Sequence, residues 1–177
     1  MEIYNKDNIT INYYNNYKFA IHHNNSIGYT KETNALFKSI FHSGFLENVK
    51  RNDSFTTVFF QAENVMTFND FLDQCEKNYG VRKVQYIDCL NIIHSFKNQI
   101  MYLERLNHTF YNIVPENVIV IDYEHFLYLG NTIEIIENNK FDKYLQFLKP
   151  FKKNGFKSPE INSITTLPTI VDYRAVY

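Results

Sequence analysis

The sequence is poor in several residue types that define whole classes of proteins. Its 177 residues include only 2 cysteines, 4 prolines and 5 glycines, and they include no tryptophan. Because Cys75 and Cys89 lie in segments with a helical pattern, we expect free thiols in a reducing compartment and no disulfide framework. The first 20 residues contain no glycine, which excludes a glycine-rich loop there that could wrap a triphosphate.

The chain also lacks an excess of charge and a long apolar run. It has 18 Lys and Arg residues against 19 Asp and Glu residues, so no overall field attracts nucleic acid, and we expect no nucleic-acid partner. No stretch approaches the ~20 apolar residues of a membrane span, and the N-terminus has no apolar signal-peptide core. We therefore expect no membrane span and an intracellular location. Six lysines between residues 140 and 157, opposed there only by Asp142, are interpreted as a solvated face.

Hydrophobic residues are abundant, at 45% with 16 Phe and 14 Tyr, which is enough for the core of one globular domain. Patterns typical of β-strands occur at Ile9–Tyr14, Tyr17–His22 and Thr56–Gln61. Between the last two, Lys31–Phe41 has apolar residues at helical spacing. The first part of the chain, residues 1–65, is therefore predicted to be strand-rich with one helix.

The second part, residues 66–177, has a different pattern. Thr67 and Asp70 form a variant capping box that predicts a short helix. A long helix is predicted over Val81–Leu106, because apolar residues recur there every three or four positions. The residues of this stripe that we predict to be buried are Ile87, Leu90, Ile93, Ile100 and Leu103. Two short apolar runs, Val118–Ile121 and Phe126–Leu129, predict a β-hairpin, and the rest, from Gly130 to Pro168, is predicted to be irregular.

One segment carries a resemblance to a known family. Residues 111–121, YNIVPENVIVI, resemble the catalytic loop of serine/threonine protein kinases, which reads His-Arg-Asp, four variable residues and Asn. Three more segments resemble landmarks of that family in the same order. Phe19–His22 is similar to the third-strand Val-Ala-Ile-Lys, Leu129–Ile133 lies where Asp-Phe-Gly would lie, and Phe156–Glu160 is similar to Ala-Pro-Glu.

The resemblance implies an α+β, two-lobed protein-kinase-like fold. Residues 1–65 would form a strand-rich N-lobe, and residues 66–177 would form part of a helical C-lobe that is apparently truncated. The hairpin Val118–Leu129 would lie beneath the cleft between the lobes.

The resemblance also implies that the catalytic positions have been lost. Phosphoryl transfer needs a lysine on the phosphates, an acid at the attacking hydroxyl and an acid on magnesium. The corresponding positions hold His22, which is shorter and mostly neutral, and Asn112 and Asn131, whose amides are a poor base and a weak metal ligand. Asn117 retains the second metal-ligand position, but capping of the loop backbone is the favoured interpretation.

We therefore expect a catalytically inactive, kinase-like module that binds protein or acts as a scaffold, with no cofactor and no metal. A protein partner would cover the exposed C-terminal face. Metal binding by His22 and His23 is disfavoured because adjacent strand residues point to opposite faces. The alternatives are an atypical kinase that uses Asp122, Glu124 or Glu134, a structural component of a virion, and a chance coincidence of motifs.

The composition also suggests a source. A bias toward Asn, Ile, Lys, Tyr and Phe is typical of A/T-rich genomes, such as those of many large DNA viruses. On this basis we expect a viral protein located in the host cytoplasm or in the virion.

Overall fold

The computed structural model describes residues 1–24, 30–111, 113–139, 142–147 and 169–172. These residues form a mixed structure in which three α-helices accompany several antiparallel sheets. The expected α+β class is confirmed.

The first part contains a five-stranded antiparallel sheet with the strand order β1-β2-β3-β5-β4. The strands are β1 (Glu2–Lys6), β2 (Ile9–Tyr13), β3 (Lys18–His23), β4 (Glu47–Arg51) and β5 (Thr57–Gln61). The turn between β1 and β2 consists of Asp7 and Asn8, with φ of 52° and 65°. Asp and Asn tolerate this left-handed backbone better than other non-glycine residues, which is why a two-residue hairpin forms without glycine.

Helix α1 (Lys31–Phe41) connects β3 to β4. Its first turn is capped by Thr30, whose hydroxyl accepts a hydrogen bond from the Thr33 amide at 3.3 Å. Its buried residues include Leu36, Phe37 and Ile40, and they join the residues of β3 and β5 in the main hydrophobic core. The helix predicted over Lys31–Phe41 is confirmed.

The second part begins with β6 (Val65–Thr67), α2 (Phe68–Tyr79) and α3 (Tyr86–Arg105). Thr67 caps α2 as predicted, because its hydroxyl accepts from the Asp70 amide at 3.2 Å and donates to the Asp70 carboxylate at 2.6 Å. Gly80, with φ of 72°, ends α2 in the left-handed conformation that glycine adopts readily. After a short strand, β7 (His108–Phe110), a single 3-10 turn at Pro115–Asn117 leads into the next hairpin.

The predicted hairpin is confirmed as β8 (Val118–Ile121) and β9 (His125–Tyr128). It forms a three-stranded sheet in the order β6-β8-β9, so β9 is an edge strand. Side chains of α3 form hydrogen bonds with the backbone of β9 along that edge. Ser95 accepts from the Phe126 amide at 3.1 Å, and the fully buried Gln99 bonds both the amide and the carbonyl of Tyr128, at 2.9 and 3.2 Å.

The predicted burial along α3 is wrong for three residues. Ile87, Leu90 and Ile93 are 60, 43 and 64% exposed, whereas Leu103 is fully buried and Ile100 is partly buried. The reason is that polar residues occupy much of the face that packs on the hairpin. Asp88, Ser95 and Gln99 are buried there, so an apolar repeat alone selects the wrong side of the helix.

The region predicted to be irregular contains strands. Strand β10 (Thr132–Glu134) pairs with β7, and a separate three-stranded sheet comprises β11 (Ile136–Asn139), β12 (Asp142–Phe147) and β13 (Thr169–Asp172). A second small core of Ile135, Leu145 and Phe147 holds these elements together. Of the six lysines in the basic patch, only Lys143 is described, and it forms an ion pair of 2.7 Å with Glu137. Over the described ranges, no helix combines the length and apolarity needed to cross a membrane.

Candidate functional site

A cleft of about 410 Å³ lies beside the N-terminus of α1. Five segments line it: the β1–β2 turn, the end of β3, the first turns of α1, the segment that follows β7 and the segment that follows β9. Its lining residues are Asp7, Ile9, His23, Thr30, Glu32, Thr33, Leu36, Tyr111, Leu129, Gly130, Asn131 and Thr132. The cleft therefore brings together residues that are more than 100 positions apart in the sequence.

The cleft is acidic. Asp7 and Glu32 line it, and no lysine or arginine is among its described lining residues. A hydrogen bond from Thr30 is the main cause that holds the pKa of Glu32 below its usual value, so this carboxyl is charged at neutral pH. Burial raises the pKa of Tyr111, and the Glu32 charge raises it further. The lining consequently offers negative charge and neutral hydroxyls to any ligand.

Two contacts fix the geometry of the cleft wall. The Thr132 hydroxyl donates to the backbone carbonyl of Glu32 at 2.9 Å, which ties the start of α1 to the segment after Asn131. Gly130 has a steric role, because a Cβ at this position would lie 2.0 Å from the hydroxyl oxygen of Tyr128, whose side chain is fully buried. Asn131 itself is exposed and lines the cleft.

His22, the residue that the resemblance puts at the lysine position, does not line the cleft. Its ring bonds the Tyr14 hydroxyl at 2.9 Å and the Thr57 hydroxyl at 3.1 Å, and burial lowers its pKa. The neighbouring His23 lines the cleft instead, with its ring edge-on to Phe37 of α1 at 6.3 Å. Strand alternation explains this, since residues on the α1 side of β3 are Phe19, Ile21 and then His23.

Asn117 is a structural residue beneath the cleft. It is 2% exposed, and its side-chain carbonyl accepts from the Tyr4 hydroxyl at 3.3 Å. Its backbone carbonyl accepts from the Leu129 amide at 2.8 Å. Burial raises the pKa values of Tyr4 and Tyr128, so both phenols are neutral donors at physiological pH. The sequence pattern did not identify this buried link between β1 and the hairpin, because Tyr4 precedes the first predicted strand and Tyr128 lies in an ordinary strand pattern.

The acids considered as substitutes lie elsewhere. Asp122 and Glu124 line a second cleft of about 600 Å³, where the Asp122 carboxylate accepts from the Asn64 amide at 2.7 Å. Glu134 lies on β10 and is exposed. None of the three lines the cleft that holds Asn131.

Two parts of the predicted site lie outside the described residues. They are Asn112, the proposed replacement of the catalytic aspartate, and Phe156–Glu160. Within the described ranges, no group of three or more His, Cys, Asp or Glu side chains is arranged to hold a metal ion.

The chain was also compared with known proteins. No protein-family model, curated protein or solved structure matches it. Its function has to be argued from its own residues.

Proposed function

We propose that this chain is a catalytically inactive, kinase-like module that acts by binding protein. The main support for the proposal is the negative charge of the cleft. Asp7 and Glu32 line it without a lysine or arginine among the described lining residues, and such a site repels the phosphates of a nucleotide.

The order of elements supports the kinase-like part of the proposal. A five-stranded antiparallel sheet with one helix between its third and fourth strands comes first. The long helix α3, the Pro-Glu-Asn turn and the hairpin β8–β9 follow, in the order that the resemblance implies. The cleft lies where these two parts, residues 1–65 and 66–177, contribute lining residues together. These features support the two-lobed arrangement that the resemblance implies.

The contacts of individual residues support the loss of catalysis. His22 is held by Tyr14 and Thr57, away from the position where a lysine would meet phosphates. The β1–β2 turn contributes the Asp7 carboxylate to the cleft, where a glycine-rich loop would present backbone amides to the nucleotide. Asn131 offers an amide where a carboxylate would bind magnesium, and an amide is a weaker ligand for a hard cation.

A nucleotide-binding measurement tests the proposal. The purified chain is heated with a reporter of unfolding in the presence of ATP and magnesium, with magnesium alone and ATP with EDTA as controls. Binding to the native state raises the midpoint of unfolding, so we expect no shift that depends on ATP and magnesium together. A saturable shift that disappears in Asn131→Trp, which fills the cleft with a large uncharged side chain, would overturn the proposal.

A further inference from the structure

A second candidate binding surface lies on the solvent side of α3. Large apolar side chains are exposed along this side: Tyr86 is 79% exposed, Ile87 60%, Leu90 43%, Ile93 64% and Met101 45%. Their spacing of three, four and eight residues keeps them on one face of a helix. We call these five residues the α3 stripe. Lys97 is the one formally charged residue whose position falls within the stripe.

The stripe has no role in the described core. The opposite side of α3 makes the intramolecular contacts, through Ser95, Gln99 and Leu103. A lone exposed apolar side chain needs no explanation, but five large ones on one helix face, interrupted by Lys97, are typical of an interaction surface.

We propose that the α3 stripe is the contact surface between two copies of this chain, packed with their α3 helices antiparallel. The proposal rests on the protein-binding role argued above and names a partner for it. A two-fold axis between residues 93 and 94 makes the stripe self-complementary. Ile93 meets its own copy at the axis, Leu90 lies opposite the aliphatic stem of Lys97, and Met101 lies beside Tyr86 and Ile87.

The side chains that this register brings together make favourable contacts. Met sulfur next to an aromatic ring is a favourable contact, and the stem of Lys97 can cover Leu90 while its amine stays in water. Lys97 of one copy lies opposite residue 90 of the other, which is seven positions from that copy's own Lys97. The two copies of Lys97 are therefore separated by roughly 10 Å along the helix axis at 1.5 Å per residue. The helix dipoles run in opposite directions, which also favours the antiparallel arrangement.

The size of the surface sets the expected strength of the dimer. Five half-exposed large side chains supply on the order of 500 Å² of apolar surface, given about 150–250 Å² for a complete aromatic side chain. Stable interfaces bury about 800 Å² on each partner. The stripe with its polar rim is therefore large enough for a reversible dimer and small for an obligate one, and we expect dissociation in the micromolar range.

The test is analytical ultracentrifugation of the full chain over a range of roughly 1 to 100 µM, which brackets that range. We expect a monomer–dimer equilibrium in the parent. Leu90→Glu should shift the protein to monomer, with at least a tenfold weaker association. Phe59→Glu is the matched control, since Phe59 lies on the first sheet and is 42% exposed, against 43% for Leu90; it should associate like the parent.

Cysteine cross-linking tests the register. In a Cys89→Ser background, Ile93→Cys should form a disulfide-linked dimer on oxidation, because the two copies of residue 93 meet at the axis. Tyr86→Cys should not, because its copies lie roughly 22 Å apart along the axis at 1.5 Å per residue. Linkage through both Tyr86→Cys and Ile93→Cys would indicate parallel packing, in which every stripe residue meets its own copy, and it would overturn the proposed register.

Three results would overturn the dimer. The first is a parent that stays monomeric up to the highest concentration, whether the stripe is then exposed or covered by another part of the chain. The second is a dimer that Leu90→Glu leaves unchanged. The third is binding of an unrelated protein at the stripe by a monomeric parent. None of these outcomes changes the nucleotide-binding result, so a failed dimer leaves the inactive-module proposal to be judged by that measurement.

Discussion

Gln99 provides the most informative single substitution in the fold. Its side chain is fully buried, and its amide bonds both the N–H and the carbonyl of Tyr128 on the edge strand β9. Gln99→Met keeps nearly the same volume and removes both hydrogen bonds. The two backbone groups of Tyr128 would then be buried without these partners.

The expected loss of stability follows from those two groups. A buried polar group left without a partner costs about 1–3 kcal/mol, while a volume-conserving change costs less than about 1.5 kcal/mol by itself. We therefore expect Gln99→Met to lower the free energy of unfolding by about 2–6 kcal/mol. Ser95→Ala removes one such partner, that of the Phe126 amide, and should cost about 1–3 kcal/mol.

Urea unfolding followed by far-ultraviolet circular dichroism measures these losses, and it suits a chain without tryptophan. Asn98→Met is the matched control, because Asn98 is adjacent in sequence and its hydrogen bond to His94 is long, at 3.5 Å. The control should stay within about 0.5 kcal/mol of the parent. If Gln99→Met also stays within that range, then α3 does not close the edge of β9 as described.

The remaining stability and reactivity predictions follow from burial. Leu103→Ala should lower the free energy of unfolding in urea by about 2–5 kcal/mol, because Leu103 is fully buried. Leu90→Ala should lower it by less than about 1 kcal/mol, because Leu90 is 43% exposed. Similar losses for the two variants would contradict the observed orientation of α3. Gly130→Ala should lower the melting temperature, since its Cβ would overlap the buried Tyr128 ring, and an unchanged midpoint would contradict that contact. Burial raises the pKa of the Cys75 thiol, so mass spectrometry should find Cys89 alkylated first near pH 8, with Cys75 reacting only as the pH rises.

Local signals in the sequence predicted much of the fold. Thr67 and Asp70 identified the start of α2, and the apolar runs on either side of Asp122 identified the hairpin, because these signals depend on residues close together in the chain. The outer side of α3 was chosen as the core because Ile87, Leu90 and Ile93 are apolar. The buried side carries Gln99. A polar side chain is favoured there because it bonds the backbone of the edge strand β9, which lies about 30 residues away in the sequence.

The candidate site was predicted only in part, for a similar reason. Asn131 lines the cleft. The histidine that lines the cleft is His23 and not His22, and a shift of one residue in a strand reverses the face on which a side chain lies. Asp7 gave no signal in the sequence, and Tyr111 was noted only as the first residue of the loop-like segment 111–121. Both line the cleft because the β1–β2 turn and the segment after β7 lie close together in the fold.

The most direct test of the central claim is phosphate transfer by a repaired protein. The triple variant His22→Lys, Asn112→Asp, Asn131→Asp has the three charged residue types that phosphoryl transfer requires. The variant and the parent are each incubated with labelled ATP, magnesium and a generic acceptor. We expect no transfer by either protein, because a side chain at position 22 lies away from the cleft and a misplacement of about 1 Å can lower a rate about a hundredfold. Transfer by the triple variant and not by the parent would show that restoring three charges is enough for catalysis, and it would contradict the inference that a side chain at position 22 lies away from the site.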